Sequence, residues 1–572
     1  MEVNLSSARV RFVSIVLFIL FVVIAIQLIS LCYFRKDELE KVAKRQHNLV
    51  IEIEPKRGIV YDRNLKELAS SIQVSSIYAA PRLMSTEEKE GLVSSLSQIL
   101  SLEPSFVRKR LSRDKLFIWI KRRVGEEEAK AIQNLRNPNL GSVPEYKRVY
   151  PNENLMGNVL GFCGIDNNGL EGMEMYYDSY LKGKKGYRYT KRDAMGREIV
   201  ALERKLVPAL NGYHLVLTID QYIQYLAQKE LEAACEKWNA KGGMALVMNP
   251  NDGSILAMAS WPNYDPNNFR DALKDSKRNR IVTDFFEPGS VFKVVTVSSA
   301  LNEKSVDLHE TFNCEQGEYR VGGHTLHDVH PYGMLTLSEI VIKSSNIGTS
   351  KIAQKLGEDK LYEYIKRFGF GDKTEIGFPG EVRGIIRPPS KWSKTSMTAI
   401  PMGHEVTSTA LQCLSALNVV ANGGILYKPR LLTEVVDDKG VQIFSNKTKW
   451  KRAVIEPEVA ANMRNILQKV VEEGTGKRAR IEGIAVGGKT GTAQKVLENG
   501  KGYSHSDFIS SFIGFAPVDK PLLSMMVVLD DPGPKYYGGT VSAPVFKNVM
   551  EKSLLYLGYQ PQTEEEEPQQ EN

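Results

Sequence analysis

The sequence lacks the features that mark nucleic-acid-binding, disulfide-rich and repeat proteins. Its 572 residues carry a net charge of +7, and the basic residues form no compact face interleaved with aromatic side chains. No internal repeat is evident. The cysteines contain no Cys-x-x-Cys pair and show no disulfide framework; they are Cys32, Cys163, Cys235, Cys314 and Cys413. We therefore expect no nucleic-acid partner and free, mostly buried thiols.

Long uncharged apolar runs are also missing, except for one near the N-terminus. Residues 12–34 contain no charged side chain and, as a helix rising about 1.5 Å per residue, would span a bilayer core of roughly 30 Å. The run is too long for the apolar part of a signal peptide, and no small-x-small cleavage site follows it. We predict a transmembrane helix here, after a short tail over 1–11. Basic residues are more numerous after the run than before it, so loop charge alone would place the C-terminal side inside.

The rest of the chain is predicted to form two domains and a tail. Residues 35–210 mix short strands and helices and contain no evident catalytic constellation. We predict that they form a structural or docking domain, called the pedestal below. Residues 211–557 are predicted to form a second domain, and residues 558–572 an acidic, disordered tail.

The second domain is predicted to be α+β, with an antiparallel sheet flanked by helices. Its predicted elements are a strand at 215–220, a helix to about Trp238, a hairpin around Asp252-Gly253, helices from 290 to about 425, strands at 507–516 and 522–530, and a helix at 541–556.

Ser290 and Lys293 form the first candidate catalytic pair. Pro288-Gly289 precedes them and an apolar run follows, which places Ser290 at the start of a helix and Lys293 on the same face one turn later. A serine hydroxyl is a weak nucleophile until a base takes its proton. A lysine can be that base only when burial and nearby positive charge lower its pKa from about 10.4 towards neutrality. Alone, this spacing is more often a solvated serine and a surface lysine.

Two further motifs follow in the same domain. Ser344-Ser345-Asn346 comes after a helical segment, and Lys489-Thr490-Gly491-Thr492 lies on a predicted strand at the edge of the sheet. Together and in this order, the three motifs resemble the Ser-x-x-Lys, Ser-Asp-Asn and Lys-Thr-Gly set of penicillin-binding proteins and class A β-lactamases. Ser345 stands where that set has an aspartate.

The three motifs together suit acyl transfer. Ser290 would attack a carbonyl carbon, Lys293 would accept its proton, and Ser344 would relay a proton to the leaving amine. Asn346 is predicted to hold Lys293 and the substrate amide. In the third motif, Lys489 would supply positive charge, and Thr490 and Thr492 would offer hydroxyls to a substrate carboxylate. Gly491 would let a substrate backbone lie close to the strand. Backbone N–H groups of Ser290 and Thr492 would form an oxyanion hole, where one donor contributes about 2.7–4 kcal/mol. This chemistry needs no cofactor and no metal.

Over about residues 10–555 the chain resembles a class B penicillin-binding protein, and within that class the division-specific (FtsI) type. The phrases at 57–64, 169–174 and 193–197 are similar to motifs of that family's pedestal, and Lys489-to-Lys495 is similar to the division type. The resemblance implies a dimerisation-type pedestal over 35–210 and a serine β-lactamase-like transpeptidase domain over 211–557. It also implies a single-pass anchor in the bacterial inner membrane, a cytoplasmic N-terminus and a catalytic domain outside the membrane.

The same resemblance implies an activity and partners. The enzyme would be a serine D,D-transpeptidase that cross-links peptidoglycan stem peptides with release of D-Ala, in septal wall synthesis. β-Lactams would acylate Ser290. Because no polymerase domain is evident, the implied partners are lipid II-derived glycan strands, an FtsW-type SEDS glycosyltransferase and other membrane proteins of the division machinery.

Other functions stay open. An elongation-type class B transpeptidase or a D,D-carboxypeptidase would need no sequence change that we can identify. A β-lactamase would need a deacylating base that is not evident, and the pedestal would be superfluous. A penicillin sensor, which is a binding module, tends to have an aliphatic residue in place of Asn346 and several membrane spans. A non-enzymatic scaffold is disfavoured by the three intact motifs.

A histidine-rich segment and two single residues complete the candidates. His324, His327, Asp328 and His330 could suggest zinc, but their spacing is no standard zinc pattern, so we predict a loop at the rim of the active site. His404 follows Met402-Gly403 where the family often has a Gly-Gln-Gly-like phrase, which leaves its role unassigned. Trp392 is predicted to pack or to line the cleft.

Overall fold

A computed structural model describes residues 7–39, 48–192, 198–199, 205–497 and 502–561. The predicted tail from residue 562 onward, the phrase at 193–197 and the first six residues lie outside this part of the chain. The chain divides into two compact units. The first comprises 1–56, 73–145 and 183–211, and the second comprises 57–72, 146–182 and 212–572. Two stretches of the predicted pedestal therefore group with the C-terminal residues.

The N-terminal segment is a helix. It runs from Ser7 to Ile29 and continues as a π-helical turn over Ser30–Phe34. The span Arg9–Phe34 is long and apolar enough to cross a membrane. The predicted apolar run over 12–34 lies within it.

The first unit contains two sheets and a layer of helices. A four-stranded antiparallel sheet consists of Asn48–Ile53, Gly186–Arg192, Glu198–Ile199 and Lys205–Val207. In the other sheet, the end of Glu67–Ala79 pairs with Ile118–Val124 and with Leu140–Val149. The helices Thr86–Leu100, Pro104–Leu111 and Glu126–Asn134 bury Leu96, Val107 and Ile132 in the core of this unit.

A five-stranded antiparallel sheet lies at the centre of the second unit. Its strands are β1 (Gly242–Met248), β2 (Ile255–Trp261), β3 (Gly487–Val496), β4 (Tyr503–Ala516) and β5 (Leu523–Asp530). The order across the sheet is β2-β1-β5-β4-β3, so β3 is an edge strand. The predicted hairpin around Asp252-Gly253, the pairing of 507–516 with 522–530, and the edge position of the Lys-Thr-Gly strand are confirmed.

Helices cover both faces of this sheet, which confirms the predicted α+β architecture. The main helices are α1 (Gln221–Lys237), α2 (Lys293–Asn302), α3 (Leu337–Lys343), α4 (Asn346–Leu356), α5 (Glu358–Arg367), α6 (Ala410–Ala421), α7 (Pro457–Glu472) and α8 (Ala543–Tyr556). Strand β1 is apolar throughout because both of its faces are buried. Leu246 faces the core formed with α2 and α6, whereas Val247 faces the core formed with α1 and α8.

Smaller elements complete the second unit. The strands Val60–Tyr61, His214–Leu217, Leu432–Val436 and Gln442–Ser445 pair in a further sheet, and three short pairs join Thr311–Asn313 to Met334–Thr336, Glu318–Val321 to His324–His327, and Ile425–Tyr427 to Trp450–Ala453. The short helices include Gly157–Leu160, Gly172–Tyr176, Asp178–Leu181, Lys274–Lys277, Arg280–Thr283, Ser396–Ala399 and Gly538–Val541.

A buried ionic cluster links two of the sequence phrases that resemble family motifs. Arg57 Nε lies 2.7 Å from Glu174 Oε2, and Arg148 Nε lies 2.6 Å from Glu174 Oε1. All three side chains are almost fully buried, and Arg57 also binds Asp178 at 2.6 Å. Burial alone would raise the pKa of Glu174. The guanidinium groups of Arg148 and Arg57 have the opposite and larger combined effect, so the pKa of Glu174 lies below its ordinary value.

Candidate active site

Ser290 lies in a short turn that leads into a helix. Gly289–Phe292 is a 3₁₀ turn, and α2 begins at Lys293. Gly289 has a φ of 59°, a left-handed conformation that glycine adopts without strain. Ser290 is half-buried and lines the large cleft, whereas Lys293 is fully buried beneath it. The predicted helix start is therefore present, with a tighter first turn than expected.

The ammonium group of Lys293 is held by the middle motif. Its Nζ donates to the backbone carbonyl of Ser344 at 2.6 Å, to Ser344 Oγ at 3.2 Å and to Asn346 Oδ1 at 2.8 Å. Burial lowers the pKa of Lys293 to about 7, although the Asp328 carboxylate acts in the opposite direction. A lysine with such a pKa can exchange protons at neutral pH.

The middle motif occupies a sharp turn between two helices. Ser344 ends α3 in a left-handed conformation, with a φ of 59°, and Ser345 caps the N-terminus of α4 by accepting from the N–H of Gly348. This reversal directs the side chains of Ser344 and Asn346 into the same cleft. The structure therefore brings both predicted residues to Lys293.

Lys489 reaches the site from the edge strand β3. Its Nζ donates to Ser344 Oγ at 2.9 Å and to the backbone carbonyl of Thr490 at 3.1 Å. Burial, reinforced by the neighbouring charge of Lys293, holds the pKa of Lys489 well below its ordinary value. Because side chains alternate along a strand, Thr490 and Thr492 face the cleft instead.

Gly491 lets β3 approach the turn that carries Ser290. A Cβ at this position would lie 2.3 Å from Ser511 Oγ, 3.1 Å from Val291 Cγ1 and 3.2 Å from the carbonyl of Pro288. The threonines on either side are also held within the fold. Thr490 Oγ1 lies 2.8 Å from Thr475 Oγ1, and Thr492 Oγ1 accepts from the N–H of Gly538 at 3.1 Å.

Asp328 belongs to the segment predicted at the rim of the active site, but the sequence did not reveal its contact with the middle motif. Its carboxylate accepts from Ser345 Oγ at 2.6 Å, from the backbone N–H of Asn346, and from the N–H of Ile347 at 3.1 Å. The preceding residue, His327, accepts from Asn346 Nδ2 through its carbonyl at 2.9 Å. One feature of the sequence could have pointed to the contact of Asp328. Ser345 replaces the aspartate of the Ser-Asp-Asn motif, so the N-terminus of α4 lacks a carboxylate of its own, and Asp328 supplies one.

The histidine-rich segment lies at the cleft, but its first part, His324–His327, is a strand paired with Glu318–Val321 rather than the predicted loop. Val329 and His330 line the cleft, and the side chain of His324 is outside the described part of the structure. Within the described residues, no group of three or more His, Cys, Asp or Glu side chains is placed to hold a metal ion. Trp392 packs in the protein, where its Nε1 donates to the carbonyl of Arg387 at 2.8 Å.

The cleft has a volume of about 1150 Å³ and opens onto all three motifs. Phe508 and Tyr536 stack at 4.0 Å on one side of it, and Tyr537 lies next to them. Lys469, Lys477 and Arg478 place positive charge on the lining. A site of this size with a serine and two buried lysines can bind a peptide and transfer its acyl group.

Comparison with known proteins assigns the family. Residues 243–551 match the model of the penicillin-binding protein transpeptidase domain, and residues 52–217 match that of the penicillin-binding protein dimerisation domain. The chain therefore belongs to the penicillin-binding protein transpeptidases, and its two domains are those of the class B members.

Relatives and solved structures agree with this assignment. The chain is 35% identical over 571 residues to stage V sporulation protein D of Bacillus subtilis, covering 98% of this chain and 88% of the relative. It is 32% identical over 534 residues to peptidoglycan D,D-transpeptidase FtsI of Escherichia coli, covering 92% and 88%. The structure of penicillin-binding protein 3 from Mycobacterium tuberculosis in complex with aztreonam is similar at a TM-score of 0.71 and 25% identity, covering 90% of this chain and 98% of that one.

Proposed function

We propose that this protein is a serine D,D-transpeptidase that cross-links peptidoglycan stem peptides. The observation that carries the proposal is the buried Lys293, whose pKa is about 7 and which is fixed by Ser344 and Asn346 beneath Ser290. Such a lysine can accept the proton of a serine hydroxyl at neutral pH. The relatives named peptidoglycan D,D-transpeptidases support the choice of substrate.

In the first half-reaction, Ser290 Oγ attacks the carbonyl carbon of the penultimate D-Ala. The serine proton passes to neutral Lys293. The backbone N–H groups of Ser290 and Thr492 stabilise the oxyanion, and the terminal D-Ala leaves after it receives a proton through Ser344. Thr490, Thr492 and the positive charge of Lys489 bind the carboxylate of that terminal residue, and Asn346 binds the substrate amide.

In the second half-reaction, an amine on a neighbouring strand attacks the acyl-serine ester and forms the cross-link. A β-lactam enters by the first half-reaction and leaves a stable acyl group on Ser290. A relative that has been solved with aztreonam and with ampicillin supports this part of the proposal.

We place this activity at the division septum, outside the cytoplasmic membrane. The similarity to FtsI over 92% of the chain supports the septal role, and the apolar helix Arg9–Phe34 supports a single-pass anchor. The cytoplasmic N-terminus rests on the resemblance to the family and not on loop charge, which favours the opposite orientation. An FtsW-type SEDS glycosyltransferase and other division proteins are the proposed membrane partners, because the two family domains include no glycan polymerase.

Covalent labelling of the full-length chain by a fluorescent penicillin tests the catalytic assignment. We expect stable labelling of the wild type and of Ser112→Ala, an exposed serine in the first unit, and loss of labelling in Ser290→Ala and Lys293→Ala. Labelling of Ser290→Ala at the wild-type level would refute the assignment. A cross-linking assay with lipid-linked glycan strands then separates a transpeptidase from a sensor, because a sensor would be labelled and would form no cross-link.

A further inference from the structure

Glu287 is a buried carboxylate three residues before the nucleophile, and the established motifs do not include it. Its Oε2 lies 2.7 Å from His404 Nδ1. Its Oε1 accepts from the backbone N–H of Glu405 at 2.9 Å and from the hydroxyl of Tyr503 at 3.3 Å. In the described part of the chain, Glu287 has no lysine or arginine partner. Its charge is therefore directed at the imidazole ring of His404.

His404 lines the same cleft as Ser290. The N–H of Gly289, the residue before Ser290, donates to the carbonyl of Gly403, the residue before His404, at 3.2 Å. His404 and Ser290 thus extend from two backbone segments that are joined directly by this hydrogen bond. The imidazole side chain is one-quarter exposed, so it can be reached from the cleft.

The contact with Glu287 fixes the tautomer of His404. An ionised carboxylate only accepts hydrogen bonds, so Nδ1 must donate and the neutral ring keeps its lone pair on Nε2. Nε2 has no partner among the described residues. An imidazole oriented in this way by a carboxylate is the arrangement of a proton acceptor whose charged form is stabilised from behind.

The other charged groups around His404 are compensated. The Glu405 carboxylate binds Arg387 at 2.6 Å and accepts from Ser396 Oγ at 2.7 Å. The Tyr503 ring meets the imidazole edge-on at 5.4 Å, and burial together with the Glu287 charge raises the pKa of Tyr503, which keeps it neutral. Glu287 is thus the carboxylate next to the ring that has no cationic side chain as a partner among the described residues.

We propose that His404, oriented by Glu287, takes the proton that the acceptor ammonium group must lose before its nitrogen attacks the acyl-Ser290 ester. This rests on the proposed transpeptidase function. An amine arrives at neutral pH mainly as an ammonium ion and must lose one proton before its nitrogen can attack. Lys293 and Lys489 both form hydrogen bonds with Ser344, so they serve the proton of Ser290 and of the leaving group. His404 lies on the Gly403 side of Ser290 and would accept the proton of the incoming amine by a separate path.

One proton of the ammonium group passes to Nε2 of His404. The nitrogen lone pair forms the new C–N bond at the acyl carbon, and the C–O bond to Ser290 breaks. A second proton of the amine passes to Ser290 Oγ through Lys293, and the third stays on the amide. His404 then returns its proton to water.

The test separates the two half-reactions in the full-length chain. The donor is a D-alanyl thioester, the acceptor is D-alanine, and acylation is measured independently with a fluorescent penicillin. His404→Gln should lower amide formation about 100-fold, whereas its acylation by penicillin should change by less than about threefold. The control His309→Gln, an exposed histidine, should leave both rates unchanged.

Glu287→Gln provides a second test, because it removes the charge and keeps the size of the side chain. If His404 is the acceptor, Glu287→Gln should also lower amide formation while its acylation by penicillin changes by less than about threefold, because a neutral amide no longer obliges Nδ1 of His404 to donate. Wild-type amide formation in His404→Gln would overturn the proposal. An equal loss of penicillin acylation would also overturn it, because His404 would then only shape the Ser290 turn. Failure of the wild type to acylate at Ser290 would instead overturn the proposed function on which this inference rests.

Discussion

Lys293 and Lys489 are joined through a single hydroxyl group. Ser344 Oγ lies 3.2 Å from Nζ of Lys293 and 2.9 Å from Nζ of Lys489. Both lysines are fully buried, and burial lowers the pKa of each. Two buried ammonium ions this close would repel each other in a medium of low dielectric constant. The pair therefore holds at least one neutral amine near neutral pH, which a proton acceptor for Ser290 requires.

The first prediction concerns the pH dependence of acylation. Lys293 can accept a proton only in its neutral form, which becomes the major form as pH rises through about 7. The second-order rate constant for acylation by penicillin should therefore rise about tenfold for each pH unit below about 7 and level off above about 8. Stopped-flow or gel-based measurement between about pH 5.5 and 9 checks this. A rate that is flat or falls over this range would contradict the role of Lys293.

The second prediction concerns Asp328. Its charge raises the pKa of Lys293, so Asp328→Asn should move the midpoint of the pH profile to lower pH. Its carboxylate also holds Ser345 and the start of α4, so we expect acylation above the midpoint to fall roughly tenfold. The control is Asp307→Asn, an exposed aspartate that binds the N–H of His309 and should change neither property. A midpoint that moves to higher pH would refute the electrostatic explanation.

The third prediction concerns Gly403, which has a φ of 86°. A Cβ here would lie 2.3 Å from the carbonyl oxygen of Gly289 and 2.6 Å from its nitrogen, so Gly403→Ala must displace the Ser290 turn. We expect acylation by penicillin to fall at least about 100-fold, because small misplacements of a reacting group cost this much.

Gly423→Ala is the matched control for this substitution. Gly423 has a φ of 88°, and no atom lies within 4 Å of its added Cβ, so the substitution carries the same backbone strain without the clash. It should cost about 1 kcal/mol of stability and leave acylation unchanged. Equal acylation rates in the two variants would show that the Gly289–Gly403 contact is unimportant.

The fourth prediction concerns the stability of the second unit. Glu174→Gln leaves Arg57 and Arg148 buried without a full counter-charge and should lower the free energy of unfolding by about 3 kcal/mol. Glu375→Gln breaks an exposed pair with Lys428 and should cost less than about 1 kcal/mol. Denaturant unfolding of both variants measures the difference.

The buried cluster around Glu174 should also make the free energy of unfolding depend on pH. The pKa of Glu174 is depressed in the folded protein, so its contribution is complete above the pKa of the unfolded state. It is lost as pH falls through the folded-state pKa. The stability difference between wild type and Glu174→Gln should therefore shrink on acidification, and a difference that grows would contradict the ion pairs.

Local patterns predicted much of this site. The spacing of Ser290 and Lys293 gives a shared helix face, and the hairpin turn at Asp252-Gly253 fixes neighbouring strands. These features depend on residues that are close together along the chain, where periodicity and turn chemistry are informative.

The contacts that hold the site could not be predicted in the same way. Glu287 meets His404 across 117 residues, and Asp328 meets Ser345 across 17. Neither carboxylate belongs to one of the three motifs, and no local pattern links either of them to its partner. Such pairings are set by tertiary packing, which a single sequence does not encode in any local pattern.

Among the described residues, strand β3 pairs with another strand on one side only, and its Thr490 and Thr492 line the cleft. An open edge of this kind is normally a hazard, since any extended chain can hydrogen-bond to it and start aggregation. A register shift between Gln494 and Val496 interrupts the pairing of β3 with β4, so the regular part of β3 runs from Gly487 to Gln494. Under the proposed function, this segment is a short template that would bind the main chain of an incoming peptide, which every peptide shares. Selectivity must then come from the side chains of the cleft rather than from the strand itself.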